Sequence, residues 1–114
     1  MQFLFIISHD DTFRPTDDLI GEIGRWIGDA RSRGVLLSGV PLRPPGEALT
    51  VRIRDGRLGV TSGPFSDSSE QMCAYELIEC GDLEEAVDLA AAHPMAKAAT
   101  IEVRPVWNEL SEGA

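Results

Sequence analysis

Two histidines, His9 and His93, are the side chains of this sequence whose ordinary pKa lies near neutrality. His9 is followed at once by Asp10 and Asp11. An imidazole beside a carboxylate can serve as a general base when both groups point the same way. Neighbouring residues often point apart, however, so a solvated polar loop competes with catalysis at His9 and Asp10. His93 precedes Pro94, and a residue before proline is disfavoured in a helix. It therefore falls at a helix end, where a histidine complements the dipole without doing chemistry. A third feature is the turn-rich loop from Ser62 to Glu70, which includes Phe65 and Ser69. Its backbone N–H groups, hydroxyls and Glu70 could hold a small polar ligand at a pocket mouth. The alternative is that Gly63-Pro64 makes the turn and Phe65 plugs the core. Met72 and Tyr75 follow closely and would line the same cavity, or belong to the core.

Other chemistries lack their residues. The two histidines stand 84 positions apart and no cysteines cluster, so no metal-ligand set is expected. Cys73 and Cys80, on one extended segment, would lie about 23 Å apart, beyond the reach of a disulfide. Phosphate-loop and dinucleotide glycine patterns are absent, as is a nucleophile elbow, and no cofactor is expected. Nineteen acidic residues against ten basic give a net charge of −9, which disfavours direct nucleic-acid binding. No segment is long and apolar enough to span a bilayer, and the apolar start, Met1 to Ser8, lacks signal-peptide features. A cytoplasmic protein without membrane contact is the expectation.

The elements that must position these residues follow from local patterns. Gln2 to Ser8 is a continuous apolar run and reads as a buried central strand. Thr16 is a candidate N-cap, followed by Asp17 and Asp18. Leu19, Ile23, Trp26, Ile27 and Ala30 then form one helical stripe. Arg31 and Arg33 suit that helix's negative end, and Gly34 stops it. Val35 to Leu42 is a strand ended by prolines. Thr50–Arg54 and Arg57–Thr61 flank Asp55-Gly56, which predicts a hairpin with a type I′ turn. Glu70 to Glu79 is a strand. Asp82 and Glu85 make a capping box for a helix that ends at His93. Thr100 to Val106 is the last strand, and Trp107 to Ala114 reads as a tail without structure. Residues 1–108 are expected to form one domain and 109–114 a short tail.

Without the hairpin the order is β-α-β-β-α-β, the ferredoxin-like split βαβ arrangement of an α+β fold. Two helices would cover one face of a four-stranded antiparallel sheet. In the first strand both alternating sets are apolar: Phe3, Phe5 and Ile7 on one side, Leu4 and Ile6 on the other. An apolar strand on an open face implies a cover, and a second subunit is the economical one. If Tyr75 and Leu77 face the helices, then Ala74, Glu76 and Ile78 face outward. Glu76, Glu102 and Arg104 would then form ion pairs at the interface.

Gly63-Pro64-Phe65, Glu70, the helix opening Asp82-Leu83-Glu84-Glu85-Ala86, His93-Pro94 and Ile101-Glu102-Val103-Arg104-Pro105-Val106 together resemble the YCII-related proteins. The likeness is to their DGPF branch and covers nearly the whole chain. It implies a ferredoxin-like fold and a homodimer whose sheets face each other in a dimeric α+β barrel. It also implies a setting beside sigma factors. Ser62 replaces the Asp that names the motif, and Ser69 replaces a customary Lys. The His–Asp pair proposed for YCII proteins has no counterpart here: the first helix lacks a His, and the Asp-Pro position is His93-Pro94. The expected function is a homodimeric small-molecule-binding or regulatory accessory protein. The alternatives are a cofactor-independent enzyme with His9 or His93 as proton shuttle, and a transcription-linked module presenting the hairpin. The position of the histidines decides for or against the enzyme, which needs one beside a carboxylate in a concave pocket.

Overall fold

The computed structural model describes residues 1–112. Strand β1 (Gln2–His9) leads into helix α1 (Asp17–Ser32), strand β2 (Leu36–Pro41) and a 3-10 turn at Pro45–Glu47. The hairpin β3 (Leu49–Arg54) and β4 (Arg57–Ser62) comes next, then β5 (Gln71–Glu79). Helices α2 (Leu83–Ala92) and α3 (Pro94–Ala98), strand β6 (Thr100–Pro105) and helix α4 (Asn108–Glu112) complete the order. The main sheet runs β2-β5-β1-β6, with each neighbouring pair antiparallel. Leaving out the hairpin, this is the ferredoxin-like order, with the first strand at the centre.

Local chemistry sets the ends of the elements. Thr16 Oγ1 accepts the Leu19 amide at 3.1 Å and starts α1. Gly34, just beyond the helix, adopts φ 72°, a conformation that costs glycine little. Asp82 accepts the Glu85 amide at 2.8 Å to open α2, and Glu85 reaches back to the Gly81 amide at 2.8 Å. The hairpin turn is of the expected kind, since Asp55 and Gly56 both take positive φ, at 53° and 74°. Two elements go beyond expectation. Pro94 ends α2 but also sits in the first turn of α3, where its missing N–H costs nothing. The stretch after Trp107 holds α4 rather than an unstructured tail.

The core lies between the sheet and α1 and α2. Phe3, Phe5, Ala30, Leu36, Ile78, Ala86 and Ala90 form its larger cluster, and Ile7, Leu19 and Met95 a second. The register reverses the expected parity of β5. Phe3 pairs with Ile78 and Phe5 with Glu76, so Ile78, Glu76 and Ala74 point toward the helices. Tyr75 and Leu77 face away, opposite Ile6 and Leu4. Pairing with β1 decides this, because side chains directly opposite in a ladder share a face. Glu76 is therefore no member of an outer ion pair. Only Glu102 and Arg104 pair there, at 2.5 Å. Ile101 and Val103 face inward as expected, opposite Ile7 and Phe5.

Candidate active site

Strand β5 sends a carboxylate into the apolar layer beneath α1. Glu76 is flanked on its face by Ala74 and Ile78, and its side chain is only 7 % exposed. A buried carboxylate needs a partner, and His93 supplies one. Its Nε2 lies 3.0 Å from Glu76 Oε1, and its side chain is 1 % exposed. The approach is out of line for a straight hydrogen bond, and neither atom has another such partner among the described residues.

His93 is placed by the junction of two helices. It closes α2 and caps α3, with extended backbone at φ −68° and ψ 131°. Its Nδ1 accepts the Met95 amide at 3.0 Å. A backbone N–H can only donate, so Nδ1 carries no proton and the ring hydrogen sits on Nε2, facing Glu76. The ring is neutral in this arrangement. The Trp26 ring of α1 packs against it, with centroids 4.4 Å apart.

Glu76 and His93 border a cavity of about 290 Å³ between the sheet and α1. Ile7, Phe13, Ile23, Ile27 and Met95 supply much of its apolar wall. Arg31 stands at the same wall as its one permanent cation. Gly39, opposite Glu76 on the edge strand β2, leaves room for the carboxylate. A Cβ there would lie 2.7 Å from the Tyr75 carbonyl oxygen and 3.1 Å from Glu76 Cγ. Cys73 lines the cavity where the β1–β5 register shifts, and burial pushes its thiol above the ordinary range. A thiol kept protonated is a poor nucleophile. Both cysteines are free.

The other residues expected at a site lie elsewhere. His9, Asp10, Ser69, Met72 and Cys73 border a hollow of about 320 Å³ at the end of β1. His9 stacks on Phe13 at 4.5 Å, and its Nδ1 lies 2.9 Å from the Asp10 carbonyl oxygen. The Asp10 carboxylate turns instead to Thr12, accepting its amide at 3.0 Å and its hydroxyl at 2.6 Å. Those bonds hold Asp10 below the usual carboxylate range. His9 and Asp10 are thus not oriented as a base and its carboxylate. Glu70 accepts from the Thr100 hydroxyl and borders a polar hollow with His9. Ser62 is spent on the hairpin ladder opposite Leu49. Phe65 does not plug the core: it is 77 % exposed beside the hairpin. Of the expected residues, the structure brings His9, Asp10, Ser69 and Met72 together on the hollow at the end of β1, and Tyr75 and His93 on the cavity beneath α1. Glu76, Arg31 and Trp26 are the partners sequence reasoning missed. A carboxylate within the apolar run Ala74–Ile78 was the available signal, but its face depended on register.

Among the described residues, no three His, Cys, Asp or Glu side chains are placed to share a metal ion. No described helix is long and apolar enough to cross a membrane.

The sheet order and helix placement define a ferredoxin-like α+β protein. A YCII-related domain is matched over residues 1–109, and the chain belongs to that family. It is also similar to Uncharacterized protein R00369 of Rhizobium meliloti (strain 1021), at 39% identity over 67 residues. That stretch is 57% of this chain and 54% of the relative, so the likeness spans about half of each.

Proposed function

We propose that this protein binds a small organic molecule in the cavity beneath α1 and moves a proton on it, with Glu76 as the base. The observation that carries this reading is the buried Glu76–His93 contact on the wall of an apolar cavity. Proton transfer in a water-poor site needs a base held in place. His93 cannot serve as an ordinary shuttle while its Nδ1 accepts the Met95 amide. It acts as a positioning residue, presenting Nε2–H to the carboxylate. In the reaction a Glu76 oxygen forms an O–H bond as a substrate C–H bond breaks, and the electron pair moves into an adjacent carbonyl. The proton then returns to the same or another carbon, so no cofactor or oxidant is consumed. The cavity lining shifts the expected ligand from a small polar molecule to one with an apolar body.

We also infer a homodimer formed through the sheet face that carries Leu4, Ile6, Tyr75 and Leu77, and membership of the DGPF branch. The Gly63-Pro64-Phe65 loop just after the hairpin supports the branch.

The test follows deuterium exchange by NMR in D2O across a panel of small carbonyl compounds. Exchange at carbon beside the carbonyl, lost in Glu76→Gln and retained in His9→Ala, is the expected result. A ligand that raises the melting temperature equally in wild type and Glu76→Gln, with no exchange in either, would leave a binding protein without catalysis.

A further inference from the structure

Arg31 has no role in holding the fold that its surroundings reveal. It lies in the last turn of α1 and is exposed, and among the described residues its side chain makes no ion pair or hydrogen bond. Its neighbour Arg33 binds Asp29 at 3.0 Å, and Lys97 of α3 reaches Glu22 of α1 at 2.9 Å. Unlike the other arginines without a carboxylate partner, Arg31 lines the cavity that holds Glu76 and His93. Complementing the helix dipole accounts for a cation at this end of α1. It does not account for this one bordering an apolar cavity.

The cavity offers a second observation. Glu76 and His93 are each more than nine-tenths buried, and their facing atoms have no aligned hydrogen-bond partner. Buried polar atoms left without an aligned partner are uncommon, and a catalytic role is one of the conditions that retains them. Ile23, Ile27 and Arg31 follow at intervals of four residues, so one face of α1 runs from the apolar wall to the guanidinium. Trp26, which packs on His93, lies about 7.5 Å from Arg31 along the helix axis. A cation at one end and a base further along, with apolar wall between them, select a molecule with three corresponding parts.

We infer that the substrate is a small organic carboxylate, with its anionic group on Arg31 and its apolar body against Ile23 and Ile27. That body carries a ketone, and the carbon beside it, which loses a proton as the electron pair moves into the ketone, is directed toward Glu76. This inference rests on the proton-transfer reading of the same cavity. The fork of the guanidinium matches a carboxylate with two parallel N–H···O bonds. Holding the substrate's charge at Arg31 also keeps it away from the Glu76 carboxylate, which it would otherwise repel.

The experiment uses the full chain and a series of straight-chain and aryl keto acids, with the ketone remote from the carboxylate, each compared with its uncharged amide. Binding is measured by titration calorimetry or NMR. Wild type is expected to bind the best acid at least tenfold tighter than its amide. Arg31→Gln should abolish that preference by weakening the acid alone, while Arg31→Lys keeps part of it. Thermal melts confirm that both variants fold, as an exposed position allows. Equal binding of acid and amide, no binding of any acid, or a preference that survives Arg31→Gln would each overturn the inference. Deuterium exchange separates the two readings. Exchange without a preference for acids removes Arg31 and leaves Glu76 standing. An Arg31-dependent preference without exchange supports the carboxylate site and removes the base.

Discussion

His93 closes one helix, caps the next and lies against the only carboxylate of the cavity wall. Its removal should therefore cost more than an ordinary core truncation. His93→Ala frees the Met95 amide and leaves Glu76 buried without a counterpart. We expect a loss of about 3 kcal/mol in urea unfolding, the range for breaking a buried charged contact. Adding Glu76→Gln to His93→Ala should restore part of that loss, because the stranded charge is then gone. A single variant costing less than about 1 kcal/mol would show that the two side chains are not coupled in the fold. The face of Glu76 could not be read from the sequence. Ala74 and Ile78 on one side and Tyr75 and Leu77 on the other are both largely apolar, so composition favoured neither. Only the pairing of Phe5 with Glu76 decided it.

At the level of elements, patterns that act within a few residues were legible. The Thr16 and Asp82 caps, the stripe of α1 and the Asp55-Gly56 turn all lie where local chemistry puts them. Contacts between elements were not, among them the meeting of Trp26 in α1 with His93 after α2. Gly39 shows how such a contact constrains an edge strand. Its absent side chain lets β2 lie close to β5 while the Glu76 side chain passes beneath it. Gly39→Ala would drive a methyl group against the Tyr75 carbonyl, which is backbone and cannot swing aside. We expect this variant to lose about 1–3 kcal/mol of stability. It should also lose deuterium exchange out of proportion to its lowered melting temperature, because Glu76 moves with the strand. A variant with full activity and wild-type stability would show that β2 yields at no cost.

At the scale of the whole molecule, the radius of gyration is 16.1 Å, against about 13 Å for a compact chain of this length. The hairpin explains the excess, since it pairs with no strand of the main sheet. Val51 faces Val60 and Ile53 faces Leu58, and these residues are 55 to 68% exposed. The open face of the main sheet is apolar at its centre, with Leu4 and Ile6 opposite Leu77 and Tyr75, and carries the Glu102–Arg104 pair on β6. The corrected parity strengthens the case for a dimer, because it replaces a carboxylate on that face with an aromatic and an aliphatic side chain. Sedimentation at low micromolar concentration should give a two-chain mass, and Leu77→Lys should give a single chain. A wild-type monomer would sink the covered-face reading.

The base of the hairpin carries a consequence for how this chain can change over generations. The Gly63 amide meets the Ala48 carbonyl at 2.7 Å, and the Thr50 hydroxyl meets the Gly63 carbonyl at 2.9 Å. The ribbon thus leaves and rejoins the body at one pinched point. The ribbon's strands pair only with each other, so no rung of the four-stranded ladder is made with them. Variation in the ribbon is insulated from the Glu76–His93 cavity, so descendants of one ancestor could acquire new partners there while conserving the same cavity wall.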